Sequence, residues 1–188
     1  MLIPYAYMKT ILVAVFLLLI FACYINKEAS DPGCEALIDL SQKDGCYQEK
    51  GIVTGDIAYC EKIAGSVFRD RCFFYVATDS STQSLCGRIE NPNDVNHCYA
   101  LVSGNDSFCA MVGREDRRDK CYYDLGSAGH VSSCGLISDG FLRDNCYTAY
   151  VYGTGDIVFC EKVSDPDNKR VCFFYPYRKR GRVRKPVR

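Results

Sequence analysis

The stretch Asp56-Ile57-Ala58-Tyr59-Cys60-Glu61-Lys62-Ile63, running on to Arg69-Asp70-Arg71-Cys72-Phe73, is one copy of a pattern that occurs six times in 188 residues. With Cys23 set aside, the cysteines fall into the pairs Cys34/Cys46, Cys60/Cys72, Cys86/Cys98, Cys109/Cys121, Cys134/Cys146 and Cys160/Cys172. The step within every pair is 12 residues, and the steps between pairs are 14, 14, 11, 13 and 14. A constant inner step and a variable outer one mark each pair as a unit whose connecting segment absorbs length changes. Fixed-period repetition of this kind decides the fold before any other feature.

Three residues after each first cysteine stands an aliphatic residue (Leu37, Ile63, Ile89, Val112, Ile137, Val163), and directly after each second cysteine an aromatic one (Tyr47, Phe73, Tyr99, Tyr122, Tyr147, Phe173). A cysteine and an aliphatic at i, i+3 share one face of a helix. Four residues before the first cysteines lie Ser30, Asp56, Thr82, Asn105, His130 and Asp156; five after them lie Asp39, Gly65, Asn91, Arg114, Asp139 and Asp165. Five of each six are good helix N-caps, able to take an otherwise unpaired N–H of the first turn. Pro92 and Pro166 follow two of the second set at N1, where proline is tolerated. Each unit therefore reads as a helix of about two turns, a sharp corner and a second helix, a hairpin of about 25 residues.

A disulfide needs Cα atoms about 4.4–6.8 Å apart, while packed helices run about 8–10 Å apart. A bridge must then join facing sides close to the corner, where a 12-residue step places both cysteines. Closing such a loop is worth about 3 kcal/mol in the chain-entropy model, a large gain for units that bury little on their own. Structural zinc sites use close C-x₂₋₄-C pairs, and no such pair occurs. Pairing across neighbours, such as Cys46 with Cys60, is the alternative connectivity. Thirteen cysteines point to an oxidising compartment.

Residues 10–26 carry no charge and follow Met8-Lys9. That length is the short end of a membrane span and suits a signal-peptide core. Its end, Leu19-Ile20-Phe21-Ala22-Cys23, resembles the lipobox of bacterial-type lipoproteins, which implies lipidation of Cys23. Three outcomes fit the segment: a lipid anchor on Cys23, a retained transmembrane helix, or cleavage and secretion. All three place the repeats outside the cytoplasm.

The zero net charge hides an asymmetry: residues 1–177 hold 16 Lys/Arg against 23 Asp/Glu, and the last eleven hold seven basic residues, Arg178, Lys179, Arg180, Arg182, Arg184, Lys185 and Arg188. Composition of this kind reads as a disordered basic tail. It offers a surface for anionic polymer or lipid head groups; nucleic acid is the least expected partner outside a cell.

Repeats 1 and 2 resemble repeats 5 and 6 at an offset of 100 residues. Thr54-Gly55-Asp56-Ile57 returns as Thr154-Gly155-Asp156-Ile157, and Cys72-Phe73-Phe74-Tyr75 as Cys172-Phe173-Phe174-Tyr175. In architecture the chain resembles the tetratricopeptide and Sel1 class of helical-hairpin repeats, with a shorter spacing and without their Trp/Gly/Ala/Pro signature. That likeness implies a fold class only. The expected fold is all-α: a short right-handed-type α-solenoid of six disulfide-stapled hairpins over residues 27–177, after an N-terminal hydrophobic helix within 1–26 and before the tail 178–188.

For chemistry the sequence offers little. His97 and His130 lie in different repeats, and no G-x-S-x-G, P-loop, G-x-G-x-x-G or H-E-x-x-H pattern occurs. Neither an enzyme nor a cofactor or metal site is expected. Asn91-Pro92-Asn93-Asp94 and Asp165-Pro166-Asp167-Asn168 are hairpin corners and lack the twelfth-position glutamate of an EF-hand. A basic residue stands nine after the first cysteine in five repeats (Lys43, Arg69, Arg118, Arg143, Lys169), followed in four by Asp44, Asp70, Asp119 and Asp144. If the hairpins stack in register, these form a ladder of alternating charge on one solvated surface, made either of inter-repeat ion pairs or of a partner-binding face. Tyr59, Phe74, Tyr123 and Tyr150 are candidate exposed aromatics, and Asn105-Asp106-Ser107 fits an N-glycosylation acceptor. The expected role is a membrane-anchored scaffold meeting another envelope protein, with polyanion or glycan binding through the tail as the alternative.

Overall fold

The computed structural model describes residues 33–174; the segment 10–26 with Cys23, the cap candidate Ser30 and the tail 178–188 lie outside them. Among the described residues there is no strand, and none of the helices is long and apolar enough to cross a membrane. The chain divides into two compact units, 1–43 and 44–188. In the first, a 3₁₀ turn at Cys34–Ala36 precedes a corner where Asp39 accepts from the Gln42 N–H at 2.8 Å, and Lys43 pairs with Glu35 at 2.6 Å.

Six longer helices carry the second cysteines: α1 (Leu40–Thr54), α2 (Ser66–Ser80), α3 (Pro92–Ser103), α4 (Glu115–Ser127), α5 (Gly140–Thr154) and α6 (Pro166–Phe174). The elements carrying the first cysteines are shorter than the sequence implies. Ile57–Glu61, Gln83–Cys86 and Ser107–Ala110 are α-helical for a single turn, while Val131–Leu136 and Ile157–Lys162 are 3₁₀. The reason lies in the caps. A side-chain stop four residues before the cysteine and an extended corner residue three or five after it leave room for little more than one turn, and 3₁₀ geometry is favoured in such short pieces. Asp56 and Asp156 accept from Ala58 and Val158, Asn105 from Ser107, and Asn91, Asp139 and Asp165 from Asn93, Leu142 and Asn168. Thr82, Arg114 and His130 make no such bond.

Five bridges, Cys60–Cys72, Cys86–Cys98, Cys109–Cys121, Cys134–Cys146 and Cys160–Cys172, have Cα–Cα distances of 5.5–5.6 Å. Cys34 and Cys46 are disulfide-bonded as well. These five pairings are within repeats, not the neighbour-to-neighbour alternative. Among the described cysteines all but the half-buried Cys46 sit in the interior, at most 2% exposed. The aliphatics Ile63, Ile89, Val112, Ile137 and Val163 are buried beside them.

Each long helix packs against the short and long elements of the next repeat, from α2 through to α6. The buried residues from Ala100 to Cys172 make one continuous apolar cluster. Within it the bridges are packing elements in their own right. A Cβ on Gly126 would stand 2.5 Å from Cys146 Sγ and 2.6 Å from Cys134 Sγ, and one on Gly51 2.7 Å from Cys72 Sγ. Glycine at these two places lets the backbone of one repeat lie directly on the bridge of the next.

Candidate functional site

Counting from each first cysteine, the candidate residues occupy position +9, the carboxylates position +10 and the aromatics position +13. The expected ladder of alternating charge does not exist as such, and the carboxylates are the reason. Asp44, Asp70, Asp119 and Asp144 are buried, between 3% and 6% exposed. Each accepts two backbone N–H groups at the start of the next repeat's long helix. Asp44 takes Ala64 and Gly65 (3.0 and 2.8 Å), Asp70 takes Glu90 and Asn91 (both 3.0 Å). Asp119 takes Ser138 and Asp139 (3.0 and 2.9 Å), Asp144 takes Ser164 and Asp165 (2.9 and 2.8 Å). A helix N-terminus presents unpaired N–H groups and partial positive charge, so an acidic group there is stabilising. These aspartates are caps supplied in trans, from one repeat to the next.

The third repeat departs from the rule. Asn96 stands at +10, its Nδ2 donating to the Met111 carbonyl at 3.3 Å, and Gly113 N–H donates instead to Asn93 Oδ1 at 3.0 Å. In the sixth repeat the position is Arg170, paired with Asp167.

The basic residues at +9 separate into two groups. Lys43 pairs with Glu35, Arg69 with Glu90, and Lys169 with Glu161 at 2.8 Å. Arg118 and Arg143 have no carboxylate within ion-pair distance among the described residues; Arg143 Nη1 makes only a long 3.5 Å approach to the Ile137 carbonyl. Both are half-buried. The Tyr122 hydroxyl beside Arg118 is pushed above its ordinary range, chiefly by burial and by Asp106, with Arg118 opposing.

Between the second and third repeats Glu61, Arg69, Phe73, Arg88 and Glu90 line a groove. Arg88 pairs with Glu61 at 3.1 Å and lies over the Phe73 ring, 5.0 Å from its centroid. Lys62 covers Tyr47 in the same way at 5.5 Å. Compared with protein-family models, curated proteins and solved structures, the chain matches none.

The expected exposed aromatics are joints instead. Tyr59 packs on Tyr47, Phe74 edge-on to His97 at 5.1 Å, and Tyr150 edge-on to Phe159 at 5.1 Å, while Tyr123 borders the apolar cluster. Aromatic contacts of this kind bind repeat to repeat. His97 Nε2 lies 3.2 Å from Asp124 Oδ2, a close contact without aligned hydrogen-bond geometry. Asn105 is exposed in its turn. Cys23 and the tail residues Arg178, Lys179, Arg180, Arg182, Arg184 and Lys185 fall outside the described residues.

Proposed function

We propose that this chain is a non-enzymatic, extracytoplasmic interaction scaffold: a short α-solenoid held to a membrane through residues 10–26 or a lipid on Cys23. One observation carries the reading. The groups that elsewhere do chemistry, the cysteines and the recurring aspartates, are spent on internal bridges and on caps between successive repeats. Neighbour-only packing of the long helices supports the solenoid. Buried bridges in repeats 2 to 6 fit an oxidising compartment. What such an array offers outward is a row of equivalent surface positions, repeated at each junction, suited to a partner that is itself extended.

The test is crosslinking on intact cells, with a photoactivatable residue at exposed position Phe141, followed by a non-reduced peptide map of the recovered protein. Enrichment of one envelope protein with all six bridges intact supports the scaffold. Free thiols throughout the mature protein, or a crosslinked partner that is cytoplasmic, sinks it. The basic tail sustains a second reading, polyanion binding, because its +7 offsets an excess of acid elsewhere. Such binding weakens steeply with salt and vanishes on deletion of residues 178–188.

A further inference from the structure

The groove between repeats 2 and 3 is made of five repeat positions, +1, +9 and +13 of one repeat and +2 and +4 of the next, and those positions recur at the later junctions with other residues in them. Between repeats 2 and 3 these are Glu61, Arg69, Phe73, Arg88 and Glu90, and the two arginines are satisfied by the two glutamates. Between repeats 5 and 6 the same positions hold Gly135, Arg143, Tyr147, Lys162 and Ser164. The floor is conserved in kind: a Cβ on Gly135 would lie 3.2 Å from the Tyr147 hydroxyl. Both cations remain, and both carboxylates are gone. Lys162 is exposed, and neither it nor Arg143 pairs with an acid among the described residues. The acids of the adjoining corners are committed elsewhere, Asp144 to Ser164 and Asp165, Asp139 to Leu142, Asp165 to Asn168. Between repeats 4 and 5 the set is Ala110, Arg118, Tyr122, Leu136 and Ser138, again with a cation and no carboxylate, though Asp106 stands near Tyr122.

We propose that the equivalent positions at the junctions of repeats 4 to 6 receive an acidic segment of a partner protein, its glutamate or aspartate carboxylates seated on Arg118, Arg143 and Lys162. They take the places that Glu61 and Glu90 fill within the chain itself. The internal pairs are the warrant for carboxylate as the ligand chemistry, because the same cations in the same setting already bind it. Phe141, 70% exposed on the first turn of α5, and Leu136, 50% exposed, add apolar contacts along the same corner line. This rests on the scaffold reading and gives its partner a chemistry.

The experiment uses the full chain in detergent or nanodiscs and a fluorescein-labelled peptide of alternating Glu and Leu, read by anisotropy. Wild type binds, and the R143Q/K162Q double variant binds about tenfold more weakly, the loss of two partly exposed ion pairs. The decisive variant is S164E, which puts a carboxylate where Glu90 sits. It should pair with Arg143 and weaken peptide binding to the same degree, while S164Q binds like wild type. Circular dichroism and a non-reduced peptide map show that each variant retains its helices and bridges. Deleting residues 178–188 leaves peptide binding unchanged. No binding by wild type, binding indifferent to S164E, or binding lost only with the tail overturns the proposal. So does tighter binding of polyphosphate that resists R143Q/K162Q. None of those results touches the crosslinking outcome, so the scaffold reading stands or falls separately.

Discussion

A carboxylate that leaves water must find compensation, and Asp144 and its three equivalents find it in paired N–H groups at a helix start. Hydrogen bonds to a charged acceptor contribute about 1.5–3 kcal/mol each, and orphaned buried donors are costly. D144A is therefore expected to lower stability by roughly 2–4 kcal/mol, and D144N by less, because one acceptor oxygen survives. Urea unfolding of bridge-intact protein measures this; a change within about 0.5 kcal/mol, the range of an ordinary surface substitution, would contradict the trans-cap. Asp124 adds a pH dependence. Burial alone would raise its pKa, but the contacts from His97 and Lys120 outweigh burial and hold it below the ordinary carboxylate value. Its stabilising contribution is thus complete above the unfolded value of about 3.9 and is lost as pH falls through the lower folded value. Melting temperatures of wild type and D124N should converge as pH falls through that window and differ at neutral pH; a gap that persists into strong acid refutes the linkage. The recurrence of aspartate at +10 was plain in the sequence, yet its meaning was not. Adjacent helical residues diverge by about 100°, so +9 and +10 need not share a surface. The N–H partners of the aspartate lie 19 to 21 residues further on, and nothing local announces them.

Helix ends were the most legible elements, since Asp39, Asp56, Asn91, Asp139, Asp156 and Asp165 all cap where their spacing from the cysteines placed them. The first helix is a single α turn in the second to fourth repeats, where caps at both ends bound it, and two turns of 3₁₀ in the fifth and sixth, because an i, i+3 pair is equally compatible with 3₁₀ geometry, where those side chains eclipse. What spacing could not convey is how closely repeats approach. The residue five after the second cysteine is Gly51, Ala77, Ser103, Gly126 or Val151 in the first five repeats, so the approach of backbone to the next bridge varies along the chain. At Gly126 it leaves no room for a methyl group. G126A is expected to cost about 1–3 kcal/mol through overpacking, despite the higher helix propensity of alanine. Thermal unfolding of the variant tests this: a neutral or stabilising effect would mean that the contact of backbone with the Cys134–Cys146 bridge is not close.

When each repeat touches only its neighbours, cooperativity is set by the weakest joint. That joint lies between the third and fourth repeats. The connection from Cys98 to Cys109 is the shortest of the five, and α3 at 12 residues is shorter than the 15-residue α1, α2 and α5. There the trans-cap is replaced by neutral amides: Gly113 N–H bonds to Asn93, and Asn96 turns its donor toward Met111. A neutral acceptor binds an N–H about half as strongly as a charged one. The equivalent amide one residue on, at Arg114, lacks the second carboxylate oxygen that Gly65, Asn91, Asp139 and Asp165 enjoy. Native-state hydrogen exchange reads such local openings directly. The Arg114 amide should exchange at least about tenfold faster than those four, the equivalent of one charge-assisted bond. The flanking bridges cannot hide the effect, for Cys86–Cys98 and Cys109–Cys121 each close a loop inside their own repeat. Equal protection at all five amides would show that packing, not the buried aspartates, holds successive repeats together.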